Sequence, residues 1–158
     1  MKRPYWTAIA LGTLLATAIG PALPQTATDS FQVSITIADD CSIAAQDFSF
    51  GSHAAITADI DATSTITVNC SVGTAYTVSL NQGTNGARLM SDGSDDVDYE
   101  LYTTAARTLA WGTNVGVDTV GGTGDGNDQL LTVYGRVPNQ ATPAPSLYVD
   151  SITATVAF

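Results

Sequence analysis

One histidine, His53, and two cysteines, Cys41 and Cys70, are the residues of this 158-residue chain best suited to chemistry. A serine hydrolase would use His53 as its base, beside a nucleophile on a sharp turn and an orienting carboxylate. His53 follows Gly51 by two positions, no G-x-S-x-G occurs, and the serines fall in turn-like clusters or alternate along strand-like runs. His53 reads as a loop surface residue, and no catalytic residue is assigned. A two-cysteine metal site would need more ligands nearby than His53 alone supplies, and no metal or cofactor is expected.

Fifteen carboxylates raise calcium and glycoside chemistry. The run 92–100 (DGSDDVDYE) has no glutamate at the twelfth position of a calcium loop, where Thr103 stands. The loop 121–128 (GGTGDGND) occurs once, with Gly126 where a β-roll repeat needs aspartate. No spacing singles out a glycosidase pair. Trp111 with Tyr99, Tyr102, Tyr134 and Tyr148 can be drawn as a sugar-binding face, but aromatics at alternating positions more often serve the core. Arg136 reads as a structural partner for one of the acids.

The elements that would hold these residues begin after a leader. Residues 1–6 carry Lys2 and Arg3, an uncharged apolar run of fourteen residues spans 7–20, and Pro21 and Pro24 follow. This is the pattern of a secretory signal peptide over residues 1–27, cut after Ala27, with Ala22 the other acceptable site. The run is shorter than the ~20 residues a membrane span requires. Beyond the leader remain Arg88, Arg107 and Arg136 against fifteen acids, which excludes the basic face that nucleic acids demand. Export to an oxidising compartment favours a Cys41–Cys70 bridge, stabilising by roughly 3–4 kcal/mol through loop closure.

The mature sequence reads as strand after strand. Phe31, Val33, Ile35 and Ile37 alternate with polar residues, as do Ile66, Val68, Cys70 and Val72. Tyr76–Leu80, Val97–Leu101, 130–137 and 152–158 repeat the pattern, and Phe48 and Phe50 mark another run. Residues 104–110 are the one stretch able to turn briefly as a helix, and the last strand runs to Phe158. Short β-branched runs between Gly/Asn/Asp/Ser turns imply an all-β sandwich in one domain.

The ordered motifs point to a family. Cys41 is followed by FSFG (48–51), STITVNCSVGTAYTVSLNQG (64–83), RLM (88–90), YELY (99–102), WG (111–112), LTVYGRVP (131–138) and the closing YVDSITATVAF (148–158). Together they resemble the spore coat protein U domain, also the subunit domain of archaic chaperone–usher pili. Leu147 stands where the family commonly has glycine, and Phe158 where it often ends in tyrosine. The resemblance implies an incomplete immunoglobulin-like β-sandwich, completed by an N-terminal strand donated from a neighbouring subunit. It assigns residues 28–38 as donor extension, with Phe31, Val33, Ile35 and Ile37 as the polymerising side chains, and 39–158 as the pilin domain. The implied function is a structural, non-enzymatic subunit of an adhesive surface fibre. Its partners are identical or related subunits, a periplasmic chaperone and an outer-membrane usher, and its route runs through the periplasm to the cell surface. From residues alone, 28–37 serves equally as the first strand of its own sandwich. The alternatives are then a self-complete carbohydrate- or calcium-binding module, or a small extracellular hydrolase.

Overall fold

The computed structural model describes Gly20 and residues 24–158, in a chain divided into two units, Met1–Thr36 and Ile37–Phe158. Of the expected leader only Gly20 and residues 24–27 are described; the charged start and nearly all of the apolar run lie outside the described residues. In the first unit, residues 24–36 form neither strand nor helix, and Phe31, Val33 and Ile35 are at least 83% exposed. Ile37, which opens the second unit, is 86% exposed. The alternation at 31–37 therefore makes no strand here. A strand is held by a ladder of hydrogen bonds to a neighbour, and no sheet includes these residues.

The second unit holds nine strands: β1 (Cys41–Ala45), β2 (Ile60–Cys70), β3 (Ala75–Leu80), β4 (Leu89–Ser91), β5 (Asp96–Asp98), β6 (Glu100–Tyr102), β7 (Val120–Thr123), β8 (Gln129–Val137) and β9 (Ala154–Ala157). They pair antiparallel in a sheet of order β1-β2-β8-β6, a second of order β7-β3-β9, and the β4-β5 hairpin. Alternation decides which side chains turn inward. Ile66, Val68 and Cys70 of β2, with Val133 and Val137 of β8, share one core with Tyr76, Val78 and Leu80 of β3. Each such side chain contributes roughly 1.5–3 kcal/mol by leaving water. Trp111, 1% exposed, closes this core and donates its indole N–H to Val78 O at 2.9 Å.

This is the immunoglobulin-like sandwich expected, in its open form. In the ABED/CFG scheme of that fold, β1, β2, β8 and β6 correspond to A, B, E and D, while β3 and β9 correspond to C and F. Among the described residues no strand occupies the G position beside β9. Both β1 and β9 have one hydrogen-bonded neighbour each, and their Cα atoms approach within 8 Å across the seam between the sheets.

Other expectations are corrected as well. Phe48 and Phe50 lie in an irregular segment rather than a strand; their rings, 5.0 Å apart, stack over Gly135 of β8, where any Cβ would collide with them. The run Val97–Leu101 is split at Tyr99, whose N–H goes to Arg88 O at 3.0 Å, so Val97 pairs with β4 and Leu101 with β8. Residues 104–110 make a single turn, closed by Arg107 N–H to Thr104 O, rather than a helix. No helix among the described residues is long and apolar enough to cross a membrane.

Candidate functional site

A cleft of about 760 Å³ opens between the segment that follows β1 and the segment that precedes β9. Phe48 and Phe50 form one wall, Tyr148 and Ile152 the other, and Ile56, Ile60, Val97, Leu101 and Val137 lie between. Much of its apolar lining belongs to the core: Ile56, Val97, Leu101 and Val137 are buried, and Phe48, Phe50 and Ile60 pack against them. Beside it, the outer edges of β1 and β9 present backbone N–H and C=O groups with no partner strand among the described residues, a cost that pairing would remove. Ala154 and Val156 of β9 are half-buried, and Phe158 beyond them is 60% exposed.

The wall before β9 is fixed by one carboxylate. Asp150 accepts from the Tyr99 hydroxyl at 2.7 Å, Thr84 N at 2.8 Å, Thr84 Oγ1 at 2.9 Å, Asn85 N at 3.1 Å and Ser151 N at 2.8 Å. Burial pushes its carboxyl upward, but the bonds from Tyr99, Asn85, Thr84 and Ser151 together outweigh that and hold it below the ordinary value. Desolvation, then the bond to Asp150, drive the Tyr99 phenol well above its usual range. Gly83, at φ +88°, leaves space for Asp150, because a Cβ there would overlap its carboxylate. Arg88, 2% exposed, donates to Trp111 O at 2.7 Å, with Glu100 at 3.8 Å from Nε.

The residues singled out for chemistry are dispersed. Cys41 and Cys70 are disulfide-bonded, directly opposite each other on β1 and β2 with Cα atoms 4.1 Å apart. His53 lies on the rim of the cleft with Nε2 2.8 Å from Phe50 O; no hydrogen bond joins it to a hydroxyl or carboxylate among the described residues. Asp92 caps the N–H groups of Asp95 and, next, Ser94, which lower its carboxyl, and Asp125 caps Asn127 N. No group of three potential metal ligands gathers among the described residues. Trp111 and Tyr99 belong to the core, and Arg107 covers Tyr134 at 5.8 Å, so the aromatics share no face. Arg136 grips Asp61 through two bonds of 2.7 and 2.9 Å and meets Asp59 at 3.1 Å. The joint role of Tyr99, Gly83 and Asp150 escaped residue-by-residue reading; all three stand in the quoted motifs, and that was their only signal.

Comparison with known proteins agrees with the geometry. Residues 27–155 match the profile of the Spore Coat Protein U domain. The chain is 28% identical over 175 aligned positions to Protein U of Myxococcus xanthus, covering 96% of this chain and 97% of that protein. A chain in the crystal structure of the CsuC–CsuE chaperone–tip adhesion subunit pre-assembly complex, from archaic chaperone–usher Csu pili of Acinetobacter baumannii, superposes with a TM-score of 0.58 at 24% identity. That match covers 78% of this chain and 41% of the solved one, so this chain spans less than half its length.

Proposed function

Since the chain belongs to the spore coat protein U domain family, we propose that it is a structural subunit of an extracellular fibre, assembled by donor-strand exchange on the chaperone–usher route. One pairing of features carries this reading. A sandwich with an open cleft and an unpaired β9 edge comes with an N-terminal run whose four alternating side chains, Phe31, Val33, Ile35 and Ile37, are each more than 80% exposed. The run offers what the cleft lacks: a backbone edge and one apolar face.

In the proposed joint, residues 28–38 of one subunit lie along β9 of the next and complete its G position by β-strand addition. Burying four such side chains contributes roughly 6–12 kcal/mol before ordering costs. Each subunit donates at one end and accepts at the other, so the contact is heterologous and grows an open filament. Residues 1–27 direct export and are removed, a periplasmic chaperone occupies the cleft beforehand, an outer-membrane usher drives the exchange, and the fibre ends at the cell surface. The proposed role is structural rather than enzymatic, and the fibre serves adhesion.

The test compares chain 28–158 with one lacking residues 28–37, each co-expressed with a matching chaperone and usher. Unheated samples in SDS are expected to show a multimer ladder from the longer form and none from the truncated one. A ladder from both, or two monomers with only the longer form melting cooperatively unaided, overturns the reading.

A further inference from the structure

The chain enters β1 through a short, heavily fastened stretch. Asp40 O accepts from Ser71 N at 2.9 Å, and Asp40 N donates to Ser71 Oγ at 3.2 Å. The Asp39 carboxylate accepts from the hydroxyl of Thr74, itself 5% exposed, at 2.8 Å. The disulfide follows at once, joining Cys41, the first residue of β1, to Cys70, the last of β2. The turn after Cys70 is tied to the link between β7 and β8. Gly73 N donates to Gly124 O and Gly124 N to Thr74 O, both at 2.8 Å, and Gly126 N donates to Cys70 O at 3.1 Å.

What lies between the two cysteines is held less firmly. β1 has five residues and pairs with β2 alone among the described residues. Its rungs lie across the strand, so a pull on its first residue would break them one after another. Residues 46–59 beyond it form no strand, and they carry Phe48 and Phe50, one wall of the cleft. β2, by contrast, is paired with β8 from Ile60 to Val68, and Cys70 is fully buried. We propose that the Cys41–Cys70 bridge is a mechanical bypass, carrying tension that arrives along residues 28–40 past β1 and the Phe48–Phe50 wall to the end of β2. The proposal rests on the fibre reading, which makes residues 28–38 the point where a neighbour pulls. A subunit loaded there keeps its own cleft intact, and with it the hold on the subunit behind. Asp39 and Asp40 brace the same junction, but only the bridge is covalent.

Single-molecule pulling tests this on chain 28–158, tethered at Thr28 and at an azide-bearing residue in place of Thr132, which is exposed on β8. Neither tether uses a cysteine, and β9 stays outside the loaded path. Molecules folded with the bridge formed are stretched before and after reduction in place, so no variant has to fold without it. Each trace reports its own redox state, because opening the bridge adds 29 positions, or roughly 100 Å, to the final length. Oxidised molecules are expected to yield in one step. Reduced molecules are expected to show an earlier step at lower force, about 65 Å long, as residues 41–59 peel away ahead of β2. Force reads the unfolding barrier rather than the equilibrium, which separates this role from a merely stabilising one. Reduced traces that rupture in one step at the oxidised force overturn the proposal, since β1 then needs no shielding. Oxidised traces that yield at or below the force of the reduced early step also overturn it, since β2 then holds no better than β1. No second subunit takes part, so a missing SDS ladder overturns the fibre reading, and with it the source of the load, whatever the traces show.

Discussion

The Tyr99 hydroxyl donates to Asp150 Oδ2 at 2.7 Å, joining the link between β5 and β6 to the segment that enters β9 across 51 positions of sequence. Through Asp150 the bond reaches Thr84, Asn85 and Ser151, so one carboxylate aligns three chain segments beside the cleft. Tyr99→Phe is expected to lower stability by about 1.5–3 kcal/mol, the range for a hydrogen bond to a charged group. Denaturant unfolding measures it, and an unchanged midpoint would sink the assignment.

Acid should loosen the same junction. The Asp150 carboxyl is held below its ordinary value of 3.8, so its contribution is complete above that value and is lost as pH falls through the lowered one. Melting temperature is expected to fall below pH ~4, with a shallower fall in Asp150→Asn. Tyr99 acts at the other extreme. Its raised phenol keeps its contribution below the ordinary value of 10.0 and loses it as pH climbs above that. Tyr99→Phe is expected to flatten the alkaline limb, and parallel curves for variant and parent would refute this.

Gly83 sets a steric test of the junction. Its φ of +88° and the absence of room for a Cβ beside Asp150 make Gly83→Ala costly on two counts. A loss of more than ~1 kcal/mol is expected, since alanine at positive φ is strained even in open space. Gly86→Ala, also at positive φ but with nothing near its Cβ, is the control and should cost less.

The disulfide bridges β1 to β2 and closes a span of 29 positions. Reduction, or Cys41→Ser with Cys70→Ser, is expected to remove roughly 3–4 kcal/mol in the loop-closure description. Chemical denaturation with and without reductant reports the difference, and coincident curves would count against it.

Ile35→Asp separates folding from assembly. Ile35 is 86% exposed, so melting of the subunit should hardly change, while the SDS ladder is expected to vanish when a charge enters the proposed joint. A ladder of undiminished length from Ile35→Asp would argue against donation by this run.

Strands β2, β3, β8 and β9 were legible because each buries one face of a β-branched run, and period two then shows in the sequence. Strands β1 (CSIAA) and β7 (VGGT) were not: alanine and glycine carry no face to alternate, and their partners define them. Phe48 and Phe50 copied a strand's spacing while serving another end, as rings over Gly135. The cleft was legible only through the resemblance, which implies an incomplete sandwich, since its walls are the aperiodic stretches 48–54 and 142–152. Tyr99, Gly83 and Asp150 meet through contacts 51 or more positions apart, beyond any local pattern.

Beyond residue 3 the chain has three cationic side chains, and the fold engages all of them. Arg88 is buried, Arg107 lies over Tyr134 and beside Asp61, and Arg136 is clasped by Asp59 and Asp61. Proteases that cut after lysine or arginine must extract the cation into their own pocket, and from residue 24 to 158 none projects freely. Trypsin-type digestion of this span is therefore expected to require unfolding, so resistance to such proteases should track the stability of the sandwich itself.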